Sequence, residues 1–194
     1  MKKTNIEGMV YMCLTQERKK EIEQKANSFR QEADTEIDVI RLAVSKGFMV
    51  MSANFPEGNA DGGIIIKKEK GTITKQILVE DNLDSYQQRF IIAHELGHYA
   101  LHYDQARISE KVTFLHMDTH ENKTEAEQEA DFFAACVLMP AQHFRELFED
   151  LSSRIGDHKV IINILSQIFR VPIPAVMRRV SEVYLLEAKL NEQR

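Results

Sequence analysis

Residues 89–104 read "RFIIAHELGHYALHYD", and the fold turns on that stretch. The run Phe90–Ala93 is apolar, so a helix from about Ser85 to Tyr103 buries at least half its surface. Residues four apart on a helix share a face, which points the imidazoles of His94 and His98 at one place. Glu95 sits about 100° further around the axis and stays beside that place. This pattern suits hydrolysis at zinc. Two neutral imidazoles hold the ion, and the glutamate takes a proton from the water bound to it, whose pKa falls to roughly 7. Two buried imidazoles without a partner would be costly, which argues against simple packing. Gly97 lies between the histidines, and glycine costs about 1 kcal/mol relative to alanine inside a helix. Either a strand or substrate passes close to it, or another helix packs there.

A catalytic zinc takes three protein ligands and leaves a position for water. The metzincin continuation would need a glycine at position 101 and a histidine at position 104. The chain has Leu101 and Asp104 there, so that class fails. His102 is too far along the helix from His94 to share one tetrahedral ion, and is expected to pack or to support a ligand. The next helical pattern, "TEAEQEADFFAACVLMP", ends at Pro140 and offers Glu125, Glu127, Glu129 and Asp131. Glu127 and Asp131 are four apart and share a face. A glutamate ligand with an aspartate one turn later is a workable pair, the aspartate accepting a hydrogen bond from the far nitrogen of a ligand histidine. Thr124 and Glu127 also match a capping box, in which Glu127 would serve the backbone instead.

Outward from this centre the chain alternates order and turn. Residues 16–33 read as a helix with a narrow apolar stripe of Ile22, Ala26 and Phe29. A short helix runs from about Ile37 to Ser45 and stops at Gly47, and "FMVMSA" follows as a strand. "GIIIKKEKGTITKQILVED" reads as a hairpin turning at "KEKG". Its edge is a candidate for binding an extended peptide by strand addition, unless its lysines protect it. The segment "ARISEKVTFLHMDTHENK" reads as loop. A short helix covers 141–150, and two helical patterns joined by "VPIP" complete the chain.

The composition, 43% hydrophobic and 28% charged, permits a soluble core of useful size. A net charge of −5 argues against general binding to nucleic acid or an anionic membrane. Cys13 and Cys136 are too isolated for a disulfide framework or a thiolate zinc site and suit a reducing compartment. The short run "MVYMCL" between charged flanks does not read as a signal peptide, and no stretch approaches a membrane span. The cytoplasm is the expected location.

"HELGHYALH", followed some thirty residues on by "EQEADFFAACVLMP", resembles the ImmA/IrrE family of metallo-endopeptidases. The family's Glu-x-x-Ala-x-x-Phe-Ala stretch and Leu-Met-Pro-like end are matched by Glu127, Ala130, Phe133, Ala134 and Leu138–Met139–Pro140. "IDVIRLAVSKGFMV", "GGIII" and "ILVEDNLDSYQQRFIIAHELGH" fall in the family's order, so the resemblance covers roughly residues 35–182. It implies His94, His98 and Glu127 as zinc ligands and Glu95 as catalytic base. Cys136 departs from the apolar residue expected there and reads as a small core residue rather than an inhibitory thiol.

The resemblance also implies a zincin-like α+β fold: a small, mostly antiparallel sheet packed on the HExxH helix, with a largely helical C-terminal half. Three regions are expected: an N-terminal segment and helix over 1–34, the metallopeptidase domain over 35–150, and a helical region over 151–194. The expected function is a zinc endopeptidase that cuts a specific protein, a helix-turn-helix repressor, to relieve repression. Tyr103, Arg107, His116 and His120 are candidates to stabilise the oxyanion. Residues 159–183 resemble a helix-turn-helix, with Arg170, Arg178 and Arg179 as a basic patch. The acidic chain favours two packed helices with solvated arginines over DNA binding. The alternative function is a zinc-containing regulatory or binding module that does not cleave. Glu95 separates the two, since a purely structural site has no use for that base. Manganese or iron would also suit two imidazoles and a carboxylate.

Overall fold

The computed structural model of the chain describes residues 14–30, 37–55, 60–103, 114–117 and 124–191, and only the backbone of 114–117 and 185–191. In chain order the elements are α1 (Gln16–Arg30), α2 (Val39–Ser45), β1 (Met49–Ala53), β2 (Gly62–Glu69), β3 (Thr72–Glu80), α3 (Ser85–His102), β4 (Phe114–Met117), α4 (Glu125–Leu138), α5 (Ala141–Arg154), α6 (His158–Phe169) and α7 (Ile173–Asn191). The architecture is the expected α+β one, with a small sheet on one side of α3 and helices on the other.

Local chemistry starts α3 firmly. Asp84 accepts from the backbone N–H groups of Tyr86 (2.8 Å) and Gln87 (3.0 Å), and Gln87 Oε1 accepts from Asp84 N (3.1 Å). This reciprocal box satisfies the first turn's orphan donors and sets where the histidines fall along the helix.

The sheet order is β1-β3-β2-β4. β2 and β3 form the expected hairpin, turning through Lys70 (φ 49°) and Gly71 (φ 81°). Two consecutive left-handed residues give the turn whose twist matches that of the strands. Ile64, Ile66 and Ile77 are fully buried, so the period-two face of the hairpin packs inward, and α3 crosses β2 and β3. β1 runs parallel to β3, with Val50 opposite Ile77, whereas β2 is antiparallel to both β3 and β4.

β4 corrects two expectations. It lies within the stretch read as loop, because a four-residue strand is too short to show a period and forms only by pairing with Gly63–Ile66 of β2. It also covers the outer side of β2, while β1 covers β3. The hairpin therefore offers no free edge at Gly63–Ile66 or Gln76–Glu80, where the outer strands are β4 and β1.

α4 packs on the other side of α3, and Gly97 explains how closely. A Cβ at that position would stand 3.0 Å from Ala130 Cα and 3.1 Å from Ala130 O. The glycine thus serves a helix crossing. α1 in turn packs on α4 through buried Ile22 and Ala26, with Phe29 edge-on to Phe133 at 5.5 Å. α1 ends at Arg30, and residues 31–33 of the expected helix lie outside the described residues.

The C-terminal helices join the same core, which runs continuously from Leu14 to Val183 and includes Phe144, Ile161, Leu165 and Val176. α5 continues to Arg154 instead of ending at 150, because Leu151 packs on the core and Arg154 pairs with Asp150 one turn back. Among the described residues no single helix is long and apolar enough to cross a membrane.

Gly97→Ala tests the crossing. Alanine gains about 1 kcal/mol in helix propensity. Its methyl meets backbone that cannot rotate away, an overpacking worth about 1–3 kcal/mol. The expected result is a net loss of about 1 kcal/mol in urea unfolding of the metal-free chain, together with weakened metal binding as α4 is pushed off.

Candidate metal centre

The crossing of α3 and α4 sets the geometry. His94 and His98 project from α3 toward Glu127 in the first turn of α4. Their Nε2 atoms are 3.0 Å apart. Glu127 Oε2 lies 3.2 Å from His94 Nε2, and Glu127 Oε1 lies 3.4 Å from His98 Nε2. One ligand atom from each of the three falls within 4.8 Å of the others, and all three residues are buried. The two sequence readings of Glu127 are both partly realised. Thr124 Oγ1 accepts from Glu127 N at 3.3 Å, so the backbone is capped, while the carboxylate reaches the histidines.

The chemistry of this donor set fits a cation. His94 Nδ1 is 3.0 Å from Asp131 Oδ1. A carboxylate only accepts, so Nδ1 carries the hydrogen and Nε2 presents a lone pair. That lone pair faces a second imidazole nitrogen and a carboxylate in a buried space. Such convergence is repulsive unless positive charge sits within it. In the metal-free chain a proton takes the role. Burial works to lower the pKa of His94, but hydrogen bonds to Asp131 and Glu127 and the charge of Glu95 outweigh it and push it up to about 10.

His94 is backed directly by one carboxylate and His98, through His102, by another, and each carboxylate is held by an arginine. Asp131 Oδ2 accepts from Arg178 Nη1 at 2.7 Å. On the other side His98 Nδ1 lies 3.1 Å from His102 Nδ1, and His102 Nε2 lies 2.9 Å from Glu129 Oε2. Arg18 Nη2 donates to that same oxygen at 2.8 Å and its Nε donates to Oε1. The Arg18 hydrogen bond holds the Glu129 carboxyl below its ordinary range. The sequence had pointed to Asp131; it offered Glu129 only among the acids of α4, placed Arg178 in a basic patch, and gave Arg18 no part. Arg18 and Glu129 are 111 positions apart, and no local pattern links them.

Glu95 is fully buried on the same helix. A Cβ at Gly62 would lie 3.5 Å from Glu95 Oε1 and would run into Ile91 Cγ2. A glycine there lets the start of β2 approach the carboxylate.

Tyr103 stacks on Tyr99 (ring centroids 5.0 Å), whose hydroxyl is 2.8 Å from Lys75 Nζ. Arg107 and His120 lie outside the described residues; His116 is on β4, where only the backbone is described. Cys136 is buried against Arg179 (Sγ to Nη1, 3.5 Å), and burial pushes its thiol up to about 12.

α6 and α7 meet at 105°, in the range of a helix-turn-helix. Of the arginines there, Arg170 and Arg178 are exposed as anticipated, and Arg179 is not. Arg179 is fully buried, donates from Nε to Met139 O at 2.9 Å and lies over the Phe132 ring. Arg178 is spent on Asp131, and Arg170 adopts the left-handed conformation that ends α6. The first turns of α7 expose Ile173 and Met177, side chains without the donors that read bases.

A family model, that of the IrrE N-terminal-like domain, matches residues 43–181. Comparison with curated proteins finds no match. Among solved structures, one named as a Mycobacterium tuberculosis transcriptional regulator is similar at 21% identity and a TM-score of 0.52 over 85% of this chain. This chain spans 48% of that protein's length, and the likeness is one of fold.

If a divalent ion replaces the proton on His94, binding releases protons. Its apparent affinity should rise with pH toward about 10, by about tenfold per pH unit for each proton displaced. Competition titrations with a chromophoric chelator at several pH values check this. Zinc content after purification without chelator should be near one ion per chain and should fall sharply in Glu127→Ala.

Proposed function

We propose, for a chain that belongs to the IrrE N-terminal-like domain family, a zinc-dependent endopeptidase that cuts a specific protein, a helix-turn-helix repressor, in the cytoplasm. One observation carries the reading: Glu95, a buried carboxylate, adjoins the His94–His98–Glu127 cluster on the helix that supplies both imidazoles. A purely structural site needs the three ligands and gains nothing from burying a further acid beside them.

The residues would divide the work as follows. His94, His98 and Glu127 would hold the ion, and Asp131 would fix His94 with Nε2 bare. When bound, a divalent ion supplies Lewis acidity, polarising a carbonyl and making water acidic enough to lose a proton near neutral pH. Glu95 would take that proton and return it to the departing amine. Gly62 leaves room for the Glu95 carboxylate under the sheet. The direct tie of Arg178 to Asp131 makes the C-terminal helix part of the metal site, which supports a packing role for it over a DNA-reading one.

A second reading has one observation in its favour. The similar solved protein is named a transcriptional regulator, and a metal-stabilised module can regulate by binding alone.

Glu95→Gln separates the two readings. The variant is expected to keep its metal and its melting behaviour while cleavage of the repressor falls by about a hundred- to ten-thousand-fold. Cleavage is followed by mass spectrometry of purified helix-turn-helix repressors incubated with each protein. A Glu95→Gln variant that still relieves repression in cells would favour the binding role.

A further inference from the structure

We infer that Arg18, on the N-terminal helix α1, is a positioning residue for the metal centre, acting through Glu129 and His102 to fix which nitrogen of His98 is bare. The inference rests on the metal reading of His94, His98 and Glu127 but not on peptide cleavage. Arg18 lies N-terminal to the residues that the family model matches, so α1 would complete a site that the matched region leaves open on one side.

The direction of every hydrogen bond follows from the arginine. A guanidinium only donates and a carboxylate only accepts. Arg18 grips both oxygens of Glu129, through Nε to Oε1 at 2.5 Å and Nη2 to Oε2 at 2.8 Å. Such two-pronged contacts define orientation as well as charge. Held this way, Glu129 Oε2 faces His102 Nε2 at 2.9 Å. His102 must then donate from Nε2, and in a neutral ring its Nδ1 accepts. The partner of that Nδ1 is His98 Nδ1, at 3.1 Å. His98 therefore donates from Nδ1 and is left with a lone pair on Nε2, the atom 3.0 Å from His94 Nε2 and 3.4 Å from Glu127 Oε1. With His102 turned the other way, a hydrogen would sit on His98 Nε2 and block it as a ligand.

The burial pattern agrees. Glu129 is 7% exposed, too buried for a carboxylate to stay ionised without compensation. Arg18 supplies the compensation from the solvent side, where its side chain is 36% exposed. In its neutral form His102 conveys orientation without bringing a second negative charge onto His98.

Two measurements test this on the full-length, zinc-loaded protein. Long-range proton–nitrogen spectra of histidine-labelled wild type should show His102 with its hydrogen on Nε2 alone and His98 with its hydrogen on Nδ1. A hydrogen on His102 Nδ1 would overturn the inference, and no substitution is needed to see it. Zinc affinity by chelator competition should fall by about 10–100-fold in Glu129→Gln and His102→Ala. Arg18→Ala should show a smaller loss, and Arg18→Ala added to Glu129→Gln should cost little more than Glu129→Gln alone. Affinities within twofold of wild type in all of these, with folding intact, would also overturn it. A protein that binds zinc through this relay yet cleaves nothing would defeat the proposed activity and leave the relay standing.

Discussion

Everything at this centre depends on how closely α3 and α4 cross. Only a hydrogen stands between the two backbones at Gly97, and a methyl there would meet Ala130 at 3.0 Å. The close crossing brings the carboxylates of α4 against the imidazoles of α3. It also removes them from water, where a carboxylate ordinarily stays. Burial makes ionised groups costly, so each must find a counter-charge or a hydrogen-bond donor of fixed direction.

That requirement organises the rest of the molecule. Three acidic side chains of α4, two positions apart in sequence, take three different partners. Glu127 meets the bare nitrogens. Asp131 accepts from His94 and is paired by Arg178 of α7, while Glu129 accepts from His102 and is paired by Arg18 of α1. Helices from opposite ends of the chain therefore supply the balancing charge. The C-terminal pair has the angle of a DNA-reading motif, yet Arg178 is tied to Asp131 and Arg179 is buried in the core. The sheet approaches from the remaining side, where Gly62 lets β2 come close to Glu95.

Much of this was legible in the residues. The spacing of His94, Glu95 and His98 places them by helix geometry alone, and the helix was readable from about Ser85. The hairpin was readable because Ile64–Ile66 and Ile77–Val79 flank residues suited to a tight turn. Glu127 was harder, since a capping role explained it equally well, and the structure shows its backbone and side chain serving separate ends. β4 was missed because four residues carry no measurable period and owe their conformation to pairing with β2.

The sequence by itself determined the elements whose causes are local: capped helices, an apolar period, a two-residue turn, and two histidines one helical turn apart. Only the tertiary structure decided which acid faces which imidazole, that Gly97 serves a helix crossing, that Arg18 and Arg178 pair with the carboxylates behind the histidines, and that Arg179 lies in the core. The physical reason is that a side chain's charge is visible in the sequence but its desolvation is not. Desolvation arises from elements far apart in the chain, and it dictates the partner each charged group must have.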